Sequence, residues 1–146
     1  MERAADCFIS RKHAGQEAAP PGGYLHEDKH FLVCHAPATM AVPGTLIVES
    51  RRHYLDLAEM TSDESANYGP LLARLYAAIK RAVGAERVYM LITLEGAAHF
   101  HTWLIPHGPQ VQARGVAFLA DDLHCAEDEA LFASEALHTE MARTQT

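Results

Sequence analysis

The chain has 146 residues, enough for one domain with a buried core, and its 49% hydrophobic and 21% charged residues are typical of a water-soluble globular protein. Twelve Lys and Arg against nineteen Asp and Glu leave a formal charge of -7, which argues against a general surface for nucleic acid or anionic membranes. No apolar run approaches the roughly 20 residues of a membrane helix. Met1, Glu2 and Arg3 lead into Ala-Ala-Asp with no apolar signal core, and Cys7, Cys34 and Cys125 are odd in number and scattered. Together these features predict a protein of the reducing cytoplasm, without a membrane partner.

Residues 14–23, AGQEAAPPGG, are small and aperiodic and read as a loop. A hairpin is predicted next, with a strand near 24–26, a turn at 27–29 and a strand over 31–34. Residues 37–43 form another loop, and GTLIVES (44–50) has the β-branched run of a buried strand. Thr61 and Glu64 then make a T-x-x-E capping box. Leu71, Leu72, Leu75, Tyr76, Ile79 and Val83 follow as one apolar stripe, and Gly84 supplies the stop, so one long helix is predicted.

RVYMLITL (87–94) reads as a strand, Glu95-Gly96 as a turn, and HFHTWLI (99–105) as the returning strand, ended by Pro106. A second helix is expected from about 127 to 141, followed by a polar tail free to fray. The order predicts an antiparallel α+β domain over 1–146, with a core at about 6–107, a C-terminal extension at 108–146, and the long helix packed on one face of the sheet.

Ten histidines give many candidate bases, nucleophiles and metal ligands. Alternation along a strand places His99, His101, Trp103 and Ile105 on one face. Imidazoles at i and i+2 lie about 7 Å apart, so both can reach one ligand, or one can react while the other assists. A histidine nucleophile needs one ring nitrogen without its proton, a state set by a hydrogen bond at the other nitrogen, often to a backbone carbonyl. His26, His30, His35, His107, His124 and His138 read as surface or turn residues, His107 lying closest to the strand end. Arg51 and Arg52 are either phosphate contacts or a solvated face, and Cys34 and Cys125 read as inert thiols.

The segment from His99 to Pro106 resembles the histidine triad (HIT) family, whose hairpin ends in His-x-His-x-His, two apolar residues and commonly proline. PGTLIVESRRHYLDLAEMTSDE (43–64) is similar to the Pro-Gly, strand, basic-His and capped-helix segment of that family. DCFISRKHAG (6–15) is similar to its Cys-x-x-Cys opening, and HEDKHFLV (26–33) to its first hairpin. The resemblance implies an α+β fold, commonly homodimeric, that binds nucleotides or nucleotide conjugates and hydrolyses or transfers nucleotidyl groups. It makes His101 the nucleophile that attacks an α-phosphate to form a nucleotidyl-histidine intermediate, with His99 as flanking partner.

Departures from the family pattern sharpen these expectations. Trp103 replaces the third histidine on the leaving-group side, and tryptophan can donate its N–H but cannot shuttle a proton. Thr45 stands in the place of the histidine of Pro-Gly-His, and Ala36 near that of a nucleotide-contacting asparagine. Gly96-Ala97-Ala98 lacks the usual short polar residue. Trp103, Thr45 and His107 are therefore the candidate substrate contacts. No cofactor is required. The resemblance also implies a structural zinc on Cys7, His53 and His99, with Ser10 in place of the second cysteine and His13 or water as fourth ligand. Alternatively Cys7 is a small buried hydrophobe and His53 bonds locally. Two other readings remain open: a nucleotide-binding module without turnover, and a zinc-stabilised interaction protein.

Overall fold

A computed structural model describes residues 6–143; the expected fraying of the polar tail falls on residues 144–146, outside them. The elements run α1 (Phe8–His13), β1 (Tyr24–Glu27), β2 (Phe31–His35), β3 (Leu46–Ser50), α2 (Ser62–Val83), β4 (Arg87–Leu91), β5 (His101–His107), α3 (Val116–Leu119) and α4 (Glu127–Arg143). The strands form one five-stranded sheet in the order β1-β2-β3-β5-β4, antiparallel throughout. This is the predicted α+β architecture.

Local chemistry explains the first hairpin. Asp28 accepts from the N–H groups of His30 and Phe31 at 2.7 Å each and meets His26 Nε2 at 2.7 Å, so the turn satisfies its own backbone. The long helix starts where its capping box predicts. Thr61 Oγ1 accepts from Glu64 N at 3.1 Å, and Glu64 accepts from Thr61 N at 2.8 Å. Gly84 closes it at φ 67°, a left-handed conformation that suits glycine.

Leu71, Leu75, Ala78 and Ile79 of α2 pack on Phe31, Val33, Leu46, Val48, Phe100 and Leu104 of the sheet and the segment before β5. Leu137 and Met141 of α4 join the same core, and Arg81 of α2 pairs with Glu140 of α4 at 3.0 Å. The opposite face of the sheet carries a smaller cluster of Cys34, Ala36, Ala41 and Ile47 with Tyr24 and Trp103. β3 is buried along its whole length because both faces are covered. Gly44 lets the loop before β3 approach the end of α2: a Cβ there would lie 2.9 Å from Val83 Cγ1, and its φ is 94°.

Three expectations need correction. β4 stops at Leu91, three residues early, and Leu94 further on takes the left-handed region at φ 61°, which a strand cannot use. β5 begins at His101 and runs through Pro106 to His107, with Pro106 paired to Val88. The carbonyl of His107 accepts from Glu86 N, on the β4 side. Alternation therefore turns the missing N–H of Pro106 toward β3, whose pairing has already ended at Leu104. Finally, His35 and His107 are not surface residues: both are fully buried, at the ends of β2 and β5.

Core packing should dominate over capping in stability. Leu75→Ala removes a fully buried side chain and is expected to cost about 2–5 kcal/mol, against about 1 kcal/mol for Thr61→Ala. Urea denaturation monitored by circular dichroism measures both. Equal losses would show that α2 is not held by the stripe facing the sheet.

Candidate functional site

His101, Trp103, Ile47 and Glu49 point to the sheet face opposite α2, where they line a cavity of about 550 Å³ together with Phe8, Ile9 and Lys12 of α1. Glu17 to Pro21 of the following loop, His35 and Met40, and Gly96 and Ala97 supply further wall, and Glu127 stands near the start of α4. His101 lies directly across from Glu49 in the β3–β5 pairing. Its Nδ1 is 2.7 Å from the carbonyl oxygen of His99. A carbonyl only accepts, so Nδ1 carries the proton and donates. Nε2 is thereby left with its lone pair, the state a nucleophile requires.

The ring of His99 goes elsewhere. His99 precedes β5 in a bend, is fully buried, and its Nε2–H donates to the carbonyl of Ser50 at 2.6 Å. Its Nδ1 lone pair then faces Cys7 Sγ at 3.3 Å and His53 Nδ1 at 3.2 Å. Burial drives the His99 pKa down to about 4, against the pull of the Ser50 carbonyl, so the ring is neutral. His99 therefore serves His101 through its backbone, while its imidazole belongs to a second cluster.

That second cluster can hold a metal. The ligand atoms of Cys7, His53 and His99 lie within 4.8 Å of one another. Zinc bonds of about 2.3 Å to sulfur and 2.0–2.1 Å to nitrogen put tetrahedral donors roughly 3.4–3.6 Å apart, a few tenths beyond the two measured contacts. One thiol with two imidazoles is a donor set suited to zinc, and the Ser50 carbonyl supplies the outer hydrogen bond that orients a ligating histidine. His13 does not complete the set, because its Nε2 is turned to Glu49 Oε1 at 3.1 Å.

Between the two clusters sits a buried ion pair that no sequence pattern marks as a pair. Glu49 Oε2 receives Lys12 Nζ at 2.7 Å, and Lys12 also meets Cys34 Sγ at 3.1 Å. Burial opposes ionisation of Glu49, but the bond to His13 and the charge and hydrogen bond of Lys12 outweigh it, holding its carboxyl below the usual range. Burial likewise opposes the Lys12 charge, and Cys34 and Glu49 overcome it, raising its pKa. The Cys34 thiol is pushed up to about 12, chiefly by burial, consistent with an inert cysteine. The signal for this pair was Glu49 itself, one carboxylate in an apolar β-branched strand. Its partner on α1 is 37 residues away, so no local pattern joined them.

The other predicted contacts lie outside the cavity lining. Thr45 is buried and spends its hydroxyl on the carbonyl of Val42 at 2.7 Å. His107 sits at the far end of β5, donating Nε2–H to the carbonyl of Ala113 at 2.8 Å and packed on Phe118. Arg52 is bound to Glu64 at 2.8 Å and stacked on Tyr54, and Arg51 reaches the carbonyl of Asp28. Of the substrate contacts expected from sequence, Trp103 alone lines the cavity with His101.

No protein-family model and no curated protein sequence matches the chain. Solved structures do. A Hit-like protein involved in cell-cycle regulation from Bartonella henselae has a TM-score of 0.74 at 10% identity, covering 96% of this chain and 99% of that one. A Zn-bound histidine triad family protein from Mycobacterium smegmatis has a TM-score of 0.74 at 16% identity, covering 98% of each. A hypothetical histidine triad nucleotide-binding protein from Sulfolobus tokodaii has a TM-score of 0.69 at 16% identity, covering 94% and 93%. At such identities the likeness establishes the fold: the chain has the architecture of the histidine triad proteins.

The two histidines should be opposite tautomers, His101 with its proton on Nδ1 and His99 with its proton on Nε2. Long-range ¹⁵N–¹H NMR correlations read this directly. A proton on His101 Nε2 in the free protein would contradict the nucleophile geometry.

Proposed function

We propose that this chain is a nucleotide hydrolase or nucleotidyl transferase of the histidine triad type, with His101 Nε2 as the nucleophile toward the α-phosphate of a nucleotide or nucleotide conjugate. The observation that carries this reading is the His101 Nδ1–H bond to the carbonyl of His99 at 2.7 Å, at the wall of a cavity large enough for a nucleotide. The same carbonyl is well placed to stabilise the positive charge that the ring acquires as the N–P bond forms. The apolar wall of Ile47, Met40 and Trp103 suits a base or ribose face. Names of the fold neighbours that mention nucleotide binding and zinc support the reading.

A structural zinc on Cys7, His53 and His99 belongs to the same proposal. It would supply cross-linking, tying α1 and the turn after β3 to the residue whose carbonyl sets His101. A homodimer also fits, since β4 ends the sheet as an edge strand with Met90 exposed. Free thiols at Cys7, Cys34 and Cys125 agree with a reducing, cytoplasmic setting.

Wild type incubated with nucleoside diphosphates, dinucleoside polyphosphates and nucleoside phosphoramidates should give a nucleotidyl adduct on His101 by mass spectrometry. His101→Ala should lose the adduct and at least about 10³-fold in turnover. Calorimetric nucleotide binding with neither adduct nor turnover would leave a binding module, the reading that Trp103 favours. In a separate measurement, elemental analysis should find about one zinc per chain in wild type and a clear loss in Cys7→Ala; unchanged metal content would remove the zinc assignment.

A further inference from the structure

The cavity holds a nucleophile but little that can hand over a proton. Both nitrogens of His35 are engaged, Nδ1–H donating to the carbonyl of Ala36 at 2.7 Å and Nε2 accepting from Gly44 N at 2.8 Å. Glu17 is paired with Arg11 at 2.9 Å, and Glu127 stands on the exposed first turn of α4. Glu49 is held as a carboxylate by Lys12 and His13. Trp103 can donate a hydrogen bond but not release the proton. His13 faces Glu49 and does not line the cavity.

What the cavity does offer is a fixed positive charge, the ammonium of Lys12. Burial opposes that charge, but neighbouring Cys34 and Glu49, the latter bonded at 2.7 Å, raise its pKa and so hold its proton. Lys12 is its one lysine or arginine among the described residues. Glu49 and Cys34 take two of its three N–H donors and the centre of the Tyr24 ring lies 5.7 Å from Nζ, which leaves one N–H without a hydrogen-bond acceptor. Because Glu49 is the direct cross-strand neighbour of His101, the ion pair anchors the ammonium beside the nucleophile.

We infer that Lys12 receives the leaving group of the reaction at His101, and that this confines the site to nucleotidyl donors whose leaving group departs as a phosphate anion. The inference rests on the nucleophilic role proposed for His101. Its chemistry follows from the proton inventory. As the N–P bond forms, the P–O bond to the leaving group breaks and its electron pair stays on that oxygen. A phosphate spreads the charge over its oxygens and, with a second pKa near about 6, needs no proton at neutral pH. An amine or alkoxide would need one, and general acid catalysis of that kind is worth about 10²–10⁴-fold. Hydrolysis then closes the cycle. Water oxygen bonds phosphorus, the P–N electron pair returns to Nε2, and the two protons of water pass to solvent as the monophosphate ionises.

The test compares two donors of one nucleoside, a dinucleoside polyphosphate and a phosphoramidate, on wild type, Lys12→Met and Lys12→Arg, each checked for folding by thermal melting. Wild type should favour the polyphosphate by at least about 100-fold in kcat/KM. Lys12→Met should lose about 10- to 100-fold more on the polyphosphate than on the phosphoramidate, and Lys12→Arg should restore much of that difference. A purely structural role for Lys12 would lower both donors together and overturn the inference. So would a wild-type phosphoramidate rate within threefold of the polyphosphate, a comparison that stands even if the variants do not fold. Absence of any His101 adduct from either donor would instead remove the nucleophilic reading beneath it.

Discussion

The hydrogen bond from His99 Nε2–H to the carbonyl of Ser50 is the constraint on which the site depends. It locks the His99 ring in one orientation where β3 ends and β5 is about to begin. Two further bonds seal the junction, Ser50 N to the carbonyl of Phe100 and Phe100 N to the carbonyl of Tyr54. With the ring fixed, its Nδ1 lone pair must face Cys7 and His53, and its own carbonyl is presented to His101 Nδ1. One residue thus sets two clusters of different chemistry. Beneath it Phe100 is fully buried and stacked on Tyr54, so the junction is backed by the main core.

Charge inside the cavity is organised locally rather than by the net charge of the chain. An acidic protein is a poor long-range attractor of phosphates, so any affinity for them has to come from short-range donors. The buried Glu49 would be costly alone. Lys12 and His13 offset that cost and are themselves drawn to the sheet face by it, which makes α1 part of the site. A short helix of six residues has little stability of its own, and this ion pair with buried Ile9 is what holds it down.

Much of the fold was legible because its signals are local. The T-x-x-E box, the stripe from Leu71 to Val83 and Gly84 each encode helix geometry within a few residues, and α2 follows them closely. The alternation of β5 likewise put His101 and Trp103 on one face, and both line the cavity. What misled was equally local. Proline usually ends a strand, yet Pro106 is paired because the side of β5 toward which its missing N–H points has no partner at that position. His35 looked like a turn residue, although Gly44 N and the carbonyl of Ala36 satisfy it completely inside the protein.

By itself the sequence determined the five strands, α2 and α4, their order, the α+β class and the position of His101 on a strand next to apolar walls, because propensity, capping and periodicity act over one or two turns of chain; the short helices α1 and α3 carry no such signal. Only the tertiary structure decided what each histidine does. The tautomer of His101, the turning of His99 toward Cys7 and His53, and the Lys12–Glu49 pair all depend on contacts between segments tens of residues apart. HFHTWLIPH shows the division plainly. Its alternation put His101 and Trp103 on one face, and the carbonyl of Ser50, 49 residues from His99, determined that two histidines two positions apart do different work.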